Sequence, residues 1–137
     1  MQPRLQCGSP GARVDEGKNA PVSKSTQEAA QSVERLLEAL VEARQAIRDT
    51  EVALRRALRK ADQGADVAKA IVAANPAQAR QRVNDALVAV EQRRHDVRRT
   101  VFAAAMEDGM SISDLSKAWG FSRQMAARYA KEARGED

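Results

Sequence analysis

Cysteine, histidine and aromatic side chains are scarce in this sequence. Its 137 residues include one cysteine, one histidine, one tryptophan, one tyrosine and two phenylalanines. The single Cys7 excludes an internal disulfide and a multi-cysteine metal site. No apolar run reaches the roughly 18 residues of a membrane span, and the N-terminus lacks the apolar core, about 7–15 residues long, of a secretory signal. We therefore expect a cytoplasmic protein that does not contact a membrane.

The groups that most enzymes use are also missing. His95 has no second histidine and no cysteine beside it, and the sequence contains neither a glycine-rich phosphate loop nor a nucleophile elbow. We expect His95 to be a surface residue of a helix. No catalytic residue, no cofactor and no metal site are predicted.

The composition favours helices that meet in thin seams. Hydrophobic residues make up 43% of the chain and aromatic residues only 3%, with alanine supplying much of the apolar content. The formal net charge is +4 and the pI is near 9.6, which permits nucleic-acid binding. The positive charge is local: residues 25–64 carry seven cations and seven anions, whereas residues 123–131 carry three cations and no anion. We expect an all-α protein with one basic surface.

The N-terminal part predicts a tail followed by a long helix. Residues 1–24 contain three of the four prolines and no apolar periodicity, which predicts a disordered tail. The run from Ser25 to Glu28 predicts a capping box that opens a helix over residues 26–63, and Gly64 is placed to end it. Two sets of residues recur every seven positions in this helix, as in a coiled coil: Val33, Leu40, Ile47, Leu54 and Ala61, and between them Leu36, Ala43, Thr50 and Ala57.

A second long helix is predicted to fold back on the first. After a short alanine-rich helix over residues 65–74, Asn75 is a cap and Pro76 takes the first helical position. Gly109 should end this helix, which has Val83, Val90, Val97 and Ala104 at seven-residue spacing. We predict that residues 25–90 form a helical hairpin or coiled-coil stem that joins two chains in a homodimer. The first half of the stem has three large side chains opposite small partners: Leu36, Leu37 and Leu40. Because their apolar surface is left uncovered, we expect two chains to associate there.

Residues 109–134 predict two short helices joined by a tight turn. Ser111 and Asp114 are spaced as a capping box, which starts a helix from Ile112 to Trp119. Gly120 follows, where the turn requires a left-handed backbone that glycine adopts without steric penalty. Ser122 caps the second helix, which runs from Arg123 to about Ala133.

This segment resembles the helix-turn-helix of bacterial DNA-binding proteins, in particular the C-terminal domain of resolvase-type recombinases and the promoter-reading end of sigma factors. The resemblance covers about 25 to 45 residues and rests on Ile112, Leu115, Ser116, Trp119, Gly120, Phe121, Ala126 and Tyr129. Two positions depart from the usual pattern: Ser116 replaces the commoner alanine, and Ala126 replaces a larger β-branched residue. The resemblance implies a three-helix head over residues 91–137, supported from below by Val101, Phe102, Ala105 and Met106. The alternative is an ordinary helix–glycine–helix corner.

The outward surface of the second short helix has no acid before Glu132. Once the inward-facing Ala126, Tyr129 and Ala130 are removed, the exposed set is Ser122, Arg123, Gln124, Ala127, Arg128 and Lys131. Arginine pairs with guanine edges and glutamine with adenine, while alanine allows close approach to a groove. We expect these six residues to contact double-stranded DNA in the major groove. Further candidates, for phosphate contacts beside the head, are Arg94, Arg98 and Lys117.

The sequence therefore predicts an all-α protein with a helical stem followed by a C-terminal helix-turn-helix head. Its expected function is that of a small transcriptional regulator or nucleoid-associated protein, active as a homodimer. The alternative from a different class is a coiled-coil adaptor or scaffold that binds a protein partner and no DNA. For the basic run around Arg94, the alternative to phosphate contact is pairing across the stem with Glu34, Glu38 and Glu42.

Overall fold

The computed structural model describes residues 21–136 and contains five helices connected by short turns. Within these residues there is no strand, which confirms the all-α prediction. None of the helices in this range combines the length and the apolar character needed to cross a lipid bilayer. Most of the predicted N-terminal tail, including Cys7, lies outside the described residues. In chain order the helices are α1 (Lys24–Asp62), α2 (Val67–Ala73), α3 (Pro76–Glu107), α4 (Ile112–Trp119) and α5 (Arg123–Ala133).

The helix starts follow from local capping, with one correction to the sequence analysis. Asn75 caps α3 as predicted, with its side chain accepting a hydrogen bond from the N–H of Gln78. The predicted capping box at Ser25 is wrong, because the cap of α1 is Ser23, whose hydroxyl accepts from the N–H of Thr26. Ser25 lies inside the helix and donates its hydroxyl to the carboxylate of Glu107 on α3. Its hydroxyl therefore serves a tertiary contact.

The two long helices end at glycines with a left-handed backbone. Gly64 follows α1 with φ +95°, and Gly109 follows α3 with φ +91°. After α3, the N–H of Met110 donates to the carbonyl of Ala105 and the N–H of Gly109 to that of Met106. This pair of bonds closes the helix end and satisfies carbonyls that the helix leaves free. Both glycine positions agree with the sequence prediction.

Helices α1 and α3 run antiparallel along most of their length. Asp49 pairs with Arg82 near the α2 end, and Ser25 bonds Glu107 near the other end. The two contacts have nearly the same register, because the two residue numbers add up to 131 in the first contact and to 132 in the second. The predicted fold-back of the second long helix on the first is therefore present. The predicted boundary between residues 90 and 91 falls inside the continuous α3.

Small side chains form the contact between α1 and α3, here called the seam. The buried residues of α1 that lie along α3 are Ser32, Ala43 and Ala46, and small residues at these positions let two helices approach closely. The fourth buried residue, Ala57, lies before the start of α3 and lines a pocket with Ala70 of α2. Two threonines of the seam satisfy their hydroxyls within their own helix: Thr50 donates to the carbonyl of Ala46 and Thr100 to that of Asp96. Within residues 21–136, no buried side-chain nitrogen or oxygen lacks a hydrogen-bond partner.

The predicted seven-residue repeat of α1 is divided between the seam and the solvent. Leu36, Ala43, Thr50 and Ala57 are buried or half-buried, with Ala57 on the part of α1 that lies beside α2. In contrast, the large residues of the other set are exposed by between 39% and 49%: Val33, Leu40, Ile47 and Leu54. Apart from Leu36, the set that faces the other helices has small side chains, which allow the closer approach.

Helices α4 and α5 pack against the C-terminal half of α3. The buried side chains at this junction are Phe102 of α3, Leu115 of α4, and Ala126 and Ala130 of α5. Ala105 and Met106 of α3 pack against this cluster, in agreement with the predicted role of this part of the helix. Helix α3 thus contributes both to the seam and to the base of the C-terminal helices.

Candidate nucleic-acid interface

A small aromatic cluster holds α5 against α3 and α4. Phe102 is fully buried and meets Trp119 edge-to-face, with ring centroids 5.1 Å apart at 73°. Tyr129 lies edge-on to the same phenylalanine at 6.3 Å and contacts Phe121 at 5.1 Å. Edge-to-face arrangements are favourable for aromatic rings. Trp119 is therefore half-buried and packs against the core of this region, on the side that was predicted.

Two hydrogen bonds between Ser116 and Phe121 stabilise the turn between α4 and α5. Gly120 has φ +72° and ψ 23°, in the left-handed region. The N–H of Phe121 donates to the carbonyl of Ser116 at 3.1 Å, and the Ser116 hydroxyl donates to the carbonyl of Phe121 at 2.7 Å. The serine that departs from the commoner alanine therefore adds a hydrogen bond that alanine could not form.

The capping box that starts α4 is present as predicted. The hydroxyl of Ser111 accepts from the N–H of Asp114 at 3.1 Å, and the N–H of Ser111 donates to the Asp114 carboxylate at 3.2 Å. The backbone hydrogen bond from Ser111 lowers the pKa of Asp114 below its ordinary value of 3.8, because it stabilises the ionised carboxylate. This end of α4 is therefore organised by one charged side chain.

Five of the six predicted DNA contacts lie together on one surface of α5. Ser122, Gln124, Ala127, Arg128 and Lys131 line a single shallow depression, which we call the outer face of α5. Ser122 also caps the helix, since its hydroxyl accepts from the N–H of Met125. The outer face carries two cations, one amide and one hydroxyl, and no acid lines it.

Arg123 and Met125 differ from the expectation in opposite ways. Arg123 is exposed but does not line the depression, because on a helix of 100° per residue it lies at the edge of the outer face. Met125 lines the depression and is 40% exposed, although it is not among the six predicted DNA contacts. Its position three residues before Arg128 was the signal that could have placed it there.

The three candidate phosphate contacts occupy different environments. Lys117 is exposed on α4, and Arg94 is exposed and paired with Glu91 of its own helix at 3.2 Å. The guanidinium of Arg98 instead lies over the ring of Tyr129, 3.8 Å from the ring centroid, and one of its nitrogens is 2.6 Å from Nδ1 of His95. Arg98 therefore joins α3 to α5 as a structural contact.

Of the other arginines in the same run, Arg93 pairs along α3. Arg93 lies 3.6 Å from Asp96, one turn further on. Across residues 21–136, no ion pair joins this run to Glu34, Glu38 or Glu42, so the proposed pairing across the stem is not formed. In the same range, no three histidine, cysteine, aspartate or glutamate side chains are grouped so that they could hold a metal ion.

Comparison of the chain with protein-family models, with curated proteins and with solved structures finds no significant match.

Proposed function

We propose that the chain is a DNA-binding protein whose α5 enters the major groove of double-stranded DNA. The observation that carries the proposal is the division of α5 into two faces. One face packs Ala126, Tyr129 and Ala130 against Phe102 and its neighbours. The opposite face presents cationic and amide side chains to solvent, and no acidic residue lines this face. A helix supported from behind, with such side chains in front, is how helix-turn-helix proteins read base edges.

The chemistry of the outer face suits a mixed sequence. Arg128 can donate two parallel hydrogen bonds to a guanine, and Gln124 can donate to and accept from an adenine. Ala127 and Met125 are apolar and suited to thymine methyl groups. Lys131, one turn beyond Ala127, can contact a phosphate. The resulting interface combines readout of bases with positioning on the backbone.

Phosphate contacts beside the outer face come from exposed cations on the neighbouring helices. Lys117 on α4 and Arg94 on α3 are suited to this role. Arg98 takes part only indirectly, by holding Tyr129 and therefore the orientation of α5. Its loss should change binding through the stability of α5.

One recognition helix makes too few contacts for specific binding. We therefore propose that the protein acts as a homodimer, with two copies of α5 on two half-sites, as a transcriptional regulator or nucleoid-associated protein in the cytoplasm. No catalytic role is assigned to any residue.

Binding by α5 is tested with single variants and a matched control. Fluorescence anisotropy on a DNA site selected from a random pool measures the affinity. Arg128→Ala should weaken binding to that site by roughly 5- to 150-fold and relax the preference at one base pair. Gln124→Ala should change the preference at a neighbouring base pair. Arg56→Ala removes the same charge from the distant end of α1 and should leave affinity within about twofold, since charge there is screened from the DNA.

The salt dependence separates base contacts from phosphate contacts. Lys131→Ala should lower the affinity for all sequences alike and reduce the slope of log K against log salt by about 0.9. Equal affinity and preference in Arg128→Ala, Gln124→Ala and the parent would contradict the assignment of α5 as the reading helix.

The rival function is a coiled-coil adaptor that binds a protein and no DNA. The exposed apolar residues of α1 favour it, because such surfaces mark protein interfaces. Absence of DNA binding at low salt, together with capture of a defined protein partner through α1, would support the adaptor over the DNA-binding protein.

A further inference from the structure

Helix α1 carries a row of large apolar side chains that stay between 39% and 59% exposed in the described part of the chain. These residues, here called the apolar stripe, are Val33, Leu37, Leu40, Ile47, Leu54 and Leu58. Each directly follows a residue of the buried or half-buried side of α1. The stripe is therefore rotated from the seam by about 100°, along the same length of helix. Its most exposed members are Leu37 at 57% and Leu58 at 59%.

The stripe is nearly symmetric about Ile47. Leu40 lies seven residues before Ile47 and Leu54 seven residues after it, with exposed fractions of 45% and 48%. Leu37 lies ten residues before the same point and Leu58 eleven residues after it. A symmetric row can pair with a reversed copy of itself, so that each leucine meets a leucine within one helical turn.

Two charged residues, Arg44 and Glu51, lie on the same side of α1 as the stripe. They distinguish an antiparallel pair of α1 helices from a parallel pair. Arg44 lies three residues before Ile47, and Glu51 lies four residues after it. If two copies of α1 run antiparallel about Ile47, Arg44 of each copy lies within one turn of Glu51 of the other. If they run parallel, Arg44 meets Arg44 and Glu51 meets Glu51. Opposite charges across an interface favour the first arrangement.

Both charges have capacity for such a contact. Arg44 forms no ion pair within residues 21–136, and Glu51 pairs only along its own helix, with Arg55 at 2.8 Å. A carboxylate can accept from two guanidinium groups at once.

The charges around the stripe agree with the same orientation. The fourteen residues before Ile47 (33–46) contain three acids and two bases, a net charge of −1. The fourteen residues after it (48–61) contain five bases and two acids, a net charge of +3. Antiparallel pairing sets the acidic half of one helix against the basic half of the other, whereas parallel pairing sets basic against basic.

We propose that two copies of this chain associate through the apolar stripe, with their α1 helices antiparallel and a two-fold axis close to Ile47. The pairing also covers a cavity of about 280 Å³ between α1, α2 and α3, which is lined by Leu54, Ile71 and Val83 among others. Leu40 of the second copy, opposite Leu54, comes to the mouth of this cavity. The proposal specifies the homodimer on which the proposed function relies, but it needs no DNA and is tested without it.

The interface is tested by sedimentation of the full chain in the absence of DNA. The parent should sediment as a dimer at micromolar concentrations. Leu40→Glu combined with Leu54→Glu should give a monomer with unchanged helical circular dichroism, because both side chains are already exposed in a single chain. Val52→Glu is the matched control: Val52 is 46% exposed but is not part of the stripe, so this variant should remain a dimer. A parent that is monomeric at several hundred micromolar, or a monomeric control, would overturn the proposal.

The orientation is tested by disulfide cross-linking in a Cys7→Ala background. A mixture of chains carrying Leu40→Cys and Leu54→Cys should form cross-linked heterodimers on oxidation, whereas Leu40→Cys alone should not cross-link. Efficient cross-linking of Leu40→Cys to itself would show a parallel pair and overturn the antiparallel arrangement.

A charge exchange gives an independent readout of the same orientation. Arg44→Glu should weaken self-association by roughly tenfold, since two attractive pairs become repulsive. Adding Glu51→Arg to that variant should restore the parent dissociation constant. A failure of the second substitution to restore it would contradict the predicted contact. Loss of DNA binding with an intact antiparallel dimer would refute the proposed function alone.

Discussion

Gly120 is the residue on which the turn between α4 and α5 most directly depends. A Cβ added there would meet no atom within 4 Å, so any cost of substitution comes from the left-handed backbone and not from a clash. Left-handed conformations cost L-residues about 1–2 kcal/mol, more when the side chain is β-branched, and asparagine tolerates them best.

We expect Gly120→Val to destabilise the C-terminal helices by about 2 kcal/mol, and Gly120→Asn by less than about 1 kcal/mol. Trp119 is the only tryptophan and packs on Phe102, so its fluorescence reports unfolding of this region during chemical denaturation. Equal denaturation midpoints for the valine and asparagine variants would contradict the role of the left-handed backbone.

Asp114 makes the stability of the same region depend on pH. The hydrogen bond from the Ser111 backbone lowers its pKa in the folded state. A carboxylate with a lowered folded pKa stabilises the fold fully above its unfolded pKa, and this contribution is lost as the pH falls through the folded pKa.

The prediction is a comparison between the parent and Asp114→Asn. The difference in their stability, followed by Trp119 fluorescence, should be constant over about pH 5–8 and should shrink towards zero below about pH 4. A difference that persists unchanged to pH 2 would show that the charge of Asp114 does not contribute.

At the scale of helices, the seam depends on the small size of its side chains. Ala46 is 2% exposed, so a larger side chain at this position must separate α1 from α3 or adopt a strained rotamer. Overpacking of this kind typically costs about 1–3 kcal/mol.

We therefore expect Ala46→Leu to lower the free energy of unfolding by about 1–3 kcal/mol in thermal or chemical denaturation followed by circular dichroism. Ala30→Leu is the same substitution at an exposed position of α1 and should change stability by less than about 0.5 kcal/mol. If the two variants melt alike, α1 and α3 are not packed as closely as described.

The helix boundaries show which parts of the elements could be predicted from sequence. The starts at Ser111 and Asn75 and the ends at Gly109 and Gly120 were predicted because capping depends on residues within one turn of each other. The prediction at Ser25 is wrong because two serines lie two positions apart, and the hydroxyl of Ser25 contacts a residue 82 positions away, Glu107. A local pattern contains no information about that contact.

On the scale of the whole molecule, the partner of each helix face was the part that sequence could not decide. The seven-residue repeats predicted one seam built from both sets of residues on α1, but the set of Leu40 and Ile47 is exposed. Hydrophobicity favours burial of Leu40 and Ile47, whereas close approach of two helices favours burial of Ala43 and Ala46. The residues of the outer face of α5 could be predicted more fully, because the apolar spacing of Ala126, Tyr129 and Ala130 identifies the inward face of the helix and leaves the exposed residues for the outer face.

Self-association should make the stability of the whole molecule depend on protein concentration. If the proposed dimer buries the apolar stripe that the single chain exposes, higher concentration favours the folded dimer by mass action. The melting temperature of the parent should rise between about 1 and 100 µM, whereas that of Leu40→Glu combined with Leu54→Glu should stay constant. A parent whose melting temperature is independent of concentration would argue against a dimer coupled to folding.

The register of α1 against α3 also suggests an order in which the hairpin folds. The Asp49–Arg82 contact closes a loop of 33 residues, and the Ser25–Glu107 contact closes one of 82. Each doubling of a closed loop adds only about 0.6 kcal/mol to its entropic cost, so contacts added in sequence after the first are cheap. We therefore expect pairing to start beside α2 and to proceed towards the end that supports α4 and α5, so that this end of the hairpin forms last and frays first.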